Sequence, residues 1–424
     1  MVGWKFTNII PLDVTKCENL EYFDCARIKG ITELDLSQAH HLKNVIVTDC
    51  SLGTLSIPQD APITELLCAG NKLTSIDLSL LNKLVDLDVS KNDIDQISVK
   101  SDSLKSLYAM NTKIKEIDLS HVPNVEYVML TGNSNLTAVD FSNNKEITDL
   151  GLSSCALTKL DVTMLPKLMK LWCNSNKIET LNLVNCKKIS ILKAGTNALK
   201  SVEFPDMPDS LTIVSLPNNQ FTAINIYNLA RVISLDLGGN QLSSVDLSGM
   251  EALEVLNLRG NSIHAIDLSL NTRLKTLGIV GNGMTACELN DIYRQLPMLA
   301  SKPKALNLYN GTASDESAKT SDTSLAEARN WKPAVLGDGT GCNSSVDEIF
   351  SEEDMFVWKK GETVHVLSPY APSLITIYNI DGKIIDQRTL AEHNATFRLP
   401  QNGIYVVNCK DTKTGKSKTE RIRF

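Results

Sequence analysis

Asp86 and Asp88 stand two residues apart in LVDLDVSKN, the spacing that puts two carboxylates on one face of a strand. Such a pair does acid–base work only where a closed pocket drives the two acidities apart, and the flanking residues build none, so a solvated surface is the better reading. Six histidines (His40, His41, His121, His264, His365, His393) are scattered, with no second ligand at zinc spacing. Ten cysteines include no CxxC, and no G-x-S-x-G, Walker loop, HExxH or Cys/His nucleophile pattern occurs. The sequence points to a non-enzymatic chain without metal or cofactor. A second set of residues has another chemistry. Tyr108, Met110, Tyr127, Met129 and Trp172 offer large apolar area with polar handles, which suits binding if they are exposed. Their exposure depends on the register of the elements that carry them.

The chain has 424 residues, 42% of them hydrophobic, enough for a large core and two domains. A net charge of −7 argues against nucleic-acid binding, which needs a basic face. No apolar run approaches the roughly 20 residues that cross a bilayer. MVGWKFTNII lacks the charged start and apolar middle of a signal peptide, and no apolar run precedes Cys17, so an exported protein would be represented here by a mature or trimmed form.

Four segments share one pattern: LVDLDVSKNDIDQISV (84–99), LMKLWCNSNKIETLNL (168–183), VISLDLGGNQLSSVDL (232–247) and LEVLNLRGNSIHAIDL (253–268). The repeat is L-x-x-L-x-L-x-x-N-x-L-x-x-[IV]-x-L, and thirteen units begin at 20, 42, 63, 84, 104, 125, 147, 168, 189, 211, 232, 253 and 274. The fourth and sixth positions are apolar in all thirteen. One unit cannot bury its own apolar face, so the units must stack into a continuous core.

The pattern resembles the leucine-rich repeat family, in the short-repeat bacterial form of internalins and of surface proteins from gut Bacteroidota, over residues 9 to 335. The resemblance implies a mainly β fold, a right-handed solenoid with one short parallel strand per unit lining a concave face. It also implies an exported protein of the cell surface.

The ninth position is Asn in nine units, and an inward Asn there can satisfy backbone groups at the turn as a structural ladder. The second half of many units reads IDLS or a variant, with the Asp placed on the solvent face; a calcium role is disfavoured because no ligand loop surrounds it. Cys25, Cys68 and Cys173 fall at the inward sixth position, Cys50 and Cys155 on the Asn ladder and Cys287 at the apolar fourteenth, so they are expected as buried free thiols with few or no disulfides.

Residues 1–19 read as a partial N-terminal repeat, and 20–335 as the solenoid, closed by an amphipathic helix near 288–297. Residues 336–345 form a linker. Strand-length runs and a D-G hairpin signal in IYNIDGKII predict a small antiparallel β-sandwich over 346–424. The run I-x-I-Y-N-x-D-G-K, then L-P-x-x-G-I-Y-V-V and a basic last strand, resembles the C-terminal sorting domains of Bacteroidota secretion systems.

With side chains alternating along each strand, the third, fifth and seventh positions face away from the core. Tyr108, Met110, Tyr127, Met129 and Trp172 then lie together on the concave face, interrupted by Gly151 and rimmed by Asp86, Asp88, Asn111, Asp149, Lys170, Asn174 and Lys193. Large side chains on a parallel sheet also shield one another without any ligand. Three roles follow: a site for a protein ligand, a carbohydrate site with sugars stacked on the rings, or a purely structural face. A flat patch over several strands favours protein, and a narrow aromatic slot above Gly151 favours glycan. The first is the preferred reading.

Overall fold

The computed structural model describes residues 12–342, 356–360, 363–367, 372–379, 382–390, 394–398, 404–415 and 417–423. The start of the partial repeat and residues 343–355 therefore lie outside the described residues. The chain forms two compact units, Met1–Gly341 and Cys342–Phe424.

In the first unit each of the thirteen repeats contributes a three-residue strand at its third to fifth positions, from Tyr22–Asp24 to Thr276–Gly278. With Leu308–Tyr309 these make one parallel sheet of fourteen strands in chain order. The strands stack without slippage, so that Leu87 faces Leu66 and Leu107, and Leu171 faces Leu150 and Leu192. Fourth- and sixth-position side chains become continuous buried columns, most of them fully inaccessible. Each buried leucine contributes about 1.5–3 kcal/mol relative to exposure. The fold is the parallel β-solenoid that the repeat predicts.

Three polar devices turn the chain in each unit. The first is the Asn ladder. Asn92 donates to the carbonyl of Val89 in its own unit and of Cys68 in the preceding one, both at 3.0 Å, and its Oδ1 accepts the N–H of Leu73 at 3.0 Å. Each Asn thus joins two repeats. Cys50 takes this place with a weaker donor, its thiol directed at Cys25 O at 3.1 Å.

The second device is a left-handed residue at the eighth position of all thirteen units. Five are glycine (Gly70, Gly132, Gly239, Gly260, Gly281), and the others run from Arg27 and Lys91 to Thr196. Where Asp49, Asn111 or Asn218 holds the position, the next unit has glycine there, because the side-chain amide or carboxylate lies where that residue's Cβ would be.

The third device explains the IDLS aspartates. Asp35, Asp77, Asp118, Asp140, Asp161, Asp246 and Asp267 each accept the N–H of the residue two positions on at 2.9 to 3.0 Å. These are Asx turns, which substitute a side-chain acceptor for a backbone one.

A helix, α1 (Ala286–Gln295), follows the last repeat. Thr285 and Glu288 form a capping box, which starts the helix two residues ahead of the apolar pattern. Leu289, Ile292 and Tyr293 are buried, and the indole N–H of fully buried Trp331 donates to Pro297 O at 2.8 Å. Here one expectation fails. Cys287 is disulfide-bonded, as is Cys342, while Cys17, Cys25, Cys50, Cys68, Cys155, Cys173 and Cys186 are free thiols. The fourteenth position of this last unit falls in the first turn of α1, where Ala286 takes the buried place and Cys287 is half-buried.

The second unit is an antiparallel sandwich. Phe356–Lys360, Thr363–Leu367 and Asn394–Arg398 form one sheet. Ile384–Leu390, Ser373–Asn379, Ile404–Asp411 and Ser417–Arg423 form the other, in that order. Val366 and Phe397 from the first share a core with Ile375, Ile377, Tyr405, Val407 and Cys409 from the second. Gly382, at φ +79°, turns the IYNIDGKII hairpin; Asp381 lies outside the described residues.

Candidate functional site

The concave face is built by the sheet register. Tyr108 sits between Asp88 and Met129, Met129 between Tyr108 and Gly151, and Trp172 between Gly151 and Lys193. Tyr127, beside Ser106 and Asp149, is 39% exposed, while Tyr108, Met110, Met129 and Trp172 are half-buried. The aromatic and methionine residues belong to three of four consecutive strands from Ser106–Tyr108 to Lys170–Trp172, the Asp149–Gly151 strand between them carrying none.

Gly151 leaves no open notch, because Met129 occupies the space above it. A Cβ on Gly151 would stand 2.6 Å from the Met129 sulfur and 3.4 Å from Thr131 Oγ1. The result is an apolar surface in which a flexible thioether fills the gap left by the glycine.

The polar rim is more varied than its residue types suggest. Lys193 is exposed, and Asp86, Asp88 and Asn174 are half-buried. Asp88 accepts the N–H of Ser90 at 2.9 Å, and Ser90 Oγ in turn accepts the N–H of Met110 at 3.0 Å. Asn174 Oδ1 accepts the N–H of Gly195 at 2.8 Å. Asn111, with φ +53°, belongs to the left-handed turn positions. Asp149 is not a rim residue. It is only 7% exposed, accepts the Thr148 hydroxyl at 2.9 Å and pairs with Lys170 at 2.9 Å. That pair raises the Lys170 ammonium above its ordinary value, mainly through the hydrogen bond to Asp149, so it stays charged.

Burial pushes the Tyr108 phenol up, and the charges of Asp86 and Asp88 add to the effect. The phenol is therefore a neutral donor throughout the physiological range. Burial also pushes the inward thiols of Cys68 and Cys173 up to about 12, which makes them packing groups and not nucleophiles.

The apolar surface continues beyond the residues picked out from the sequence. Ile191 and Ile213 face one another in register beside Lys170, half-buried, and Met169, Ile233 and Val255 are exposed at the flank. The signal was present in the third-position column, which reads Tyr127, Asp149, Lys170, Ile191, Ile213 along this stretch. Among the described residues no group of three or more His, Cys, Asp or Glu is placed to hold a metal ion, and no helix is long and apolar enough to cross a membrane.

Among solved structures the chain is similar to the functional domain of InlJ from Listeria monocytogenes, at 21% identity and TM-score 0.54, over 96% of this chain and 91% of that one. It is also similar to YopM, a leucine-rich effector protein of Yersinia pestis, at 20% identity and TM-score 0.52, over 70% of this chain and 85% of that one. At such identities the likeness establishes the fold, a leucine-rich repeat solenoid. No protein-family model and no curated protein matches the chain.

Proposed function

We propose that the chain is a non-enzymatic binding protein, exported to the bacterial cell surface, which holds a protein ligand on the concave face of its solenoid. The observation that carries the choice of ligand is Met129 lying over Gly151. A sugar-binding slot needs an open gap beside the ring that stacks on the sugar, and the thioether fills the gap next to Trp172. A broad patch of aromatic, methionine and isoleucine side chains with charged residues at its margin suits a protein surface. Tyr108 and Tyr127 add hydroxyls at low entropic cost.

Export agrees with the disulfide-bonded state of Cys287 and Cys342, since such bonds persist in oxidising compartments. Residues 346–424 supply the sorting or surface-retention module that their sequence resembles.

A protein pull-down run beside a glycan array, with wild type and the Trp172→Ala, Tyr127→Ala double variant, tests this reading. The expected result is a protein partner captured by wild type and lost by the variant. A glycan hit that depends on Trp172, with no protein partner, would replace it with carbohydrate binding.

A further inference from the structure

Arg259 occupies the seventh position of its unit, just beyond the Val255–Asn257 strand and on the concave side. The next strand places no side chain in its path. Gly278 is the in-register neighbour of Asn257, and a methyl group on Gly278 would stand 2.8 Å from Arg259 Nε. The arginine therefore lies across the Thr276–Gly278 strand and reaches Tyr309 on the strand beyond, its guanidinium carbon 4.1 Å from the ring centroid.

The charge so positioned is unused. Among the described residues no ion pair includes Arg259. Its Nε is buried without a hydrogen-bond partner. The nearby acids are engaged elsewhere: Asp236 accepts Asn257 Nδ2 at 2.7 Å and the N–H of Gly238 at 3.0 Å, and Glu254 pairs with Lys275 at 2.8 Å and Arg273 at 3.6 Å. Arg259 Nε is packed against Gly278, which leaves the two terminal nitrogens as the donor pair for a ligand, and stacking on a ring holds the guanidinium plane in place before any ligand arrives. A planar fork of donors, pre-oriented and carrying unneutralised charge, matches a carboxylate, which accepts two parallel N–H bonds.

We propose that Arg259, mounted on Tyr309, is a carboxylate-binding site of the concave face. Its use by the ligand rests on the protein-binding reading above, while the site itself does not. The guanidinium lies over the Thr276–Gly278 strand, which is five strands from Lys170–Trp172. At about 4.8 Å per strand the separation is about 24 Å, the reach of about seven extended residues. A ligand segment with an apolar group on Trp172 thus carries its acidic group, an Asp or Glu side chain or a chain terminus, about seven residues away.

The test is a titration of the full chain, with 15N-labelled arginine, by sodium acetate against sodium chloride of equal ionic strength. The Arg259 Nε–H signal is assigned by its loss in Arg259→Lys. It is expected to move at acetate concentrations several-fold below those that move the other arginine signals, and not to move with chloride. Tyr309→Leu is expected to weaken the Arg259 response about two- to fivefold. Movement of all arginine signals together, or an Arg259 response indifferent to Tyr309→Leu, would overturn the site. Trp172→Ala is expected to leave the acetate response unchanged, so failure of this site and failure of the Trp172 surface are told apart.

Discussion

Met129 lies over Gly151, its neighbour in register on the next strand, so closely that a Cβ on Gly151 would meet the sulfur at 2.6 Å. The glycine and the thioether together make a continuous surface between Tyr108 and Trp172. In Gly151→Ala the flexible end of Met129 must move aside. The expected cost in stability is below about 1 kcal/mol, because the displaced atom is at the end of an unbranched chain. Partner affinity is expected to fall several-fold. Calorimetric binding beside thermal melts checks this, and unchanged affinity would detach Met129 from the binding surface.

Asn92 is 5% exposed and ties two repeats together. Asn92→Ala leaves the Val89 carbonyl and the Leu73 N–H without the amide, while Cys68 O keeps Asn71 Nδ2 at 2.9 Å, at a cost of about 3 kcal/mol. Asn92→Cys, which copies the arrangement at Cys50, is expected to recover part of that loss. Urea melts of the two variants give the comparison; equal midpoints would show that the thiol contributes nothing.

Thr196 holds the left-handed eighth position with φ +55°, where a β-branched residue is strained. Thr196→Gly is expected to stabilise the solenoid by about 1 kcal/mol. Gly281→Thr, placed at φ +78°, is expected to destabilise it by a similar amount. Melting temperatures that shift in the same direction for both substitutions would contradict the assignment.

Acid should loosen the Asx turns. Asp77, Asp118, Asp161 and Asp246 sit below the ordinary aspartate value of 3.8, first through the hydroxyl and then through the N–H of the residue two positions on. At Asp35 the backbone hydrogen bond comes first. A carboxyl depressed in the folded state stabilises fully above its unfolded value, and that stability disappears as pH falls through the folded value. Melting temperature is expected to be level above about pH 5 and to fall below about pH 4. Asp→Asn substitutions at these positions keep the acceptor without the titration, so the decline should flatten. A melting temperature that is constant down to pH 3 would contradict this.

The sheet was legible because the fourth and sixth positions repeat without exception, and period-two alternation then fixes which side chains face outward. The ninth-position Asn was legible for the same reason. The left-handed eighth position was harder to see, since Gly, Asn, Ser, Lys and Arg all occupy it, and what they share is backbone geometry. The IDLS aspartates are exposed, as the alternation indicates; their Asx turns stood in the sequence as Asp followed two residues later by Ser or Thr, a local hydrogen-bond spacing that alternation does not register. Asp149 was misplaced because its burial depends on Lys170 reaching over from the next strand. Gly151 appeared as a notch because alternation gives the direction of Met129 but not where its flexible end comes to rest. Cys287 broke from the column because the last repeat gives way to a helix.

The central claim is that the surface of Tyr108, Tyr127, Met129 and Trp172 binds a protein. The most direct measurement is the dissociation constant of the captured partner for wild type and for the Trp172→Ala, Tyr127→Ala double variant, with both melting temperatures. The account predicts a loss of affinity of at least about thirtyfold, on the order of 2 kcal/mol, with melting temperature lowered by no more than about 3 °C. Unchanged affinity together with a large drop in melting temperature would contradict it, and would make these side chains part of the solenoid's packing.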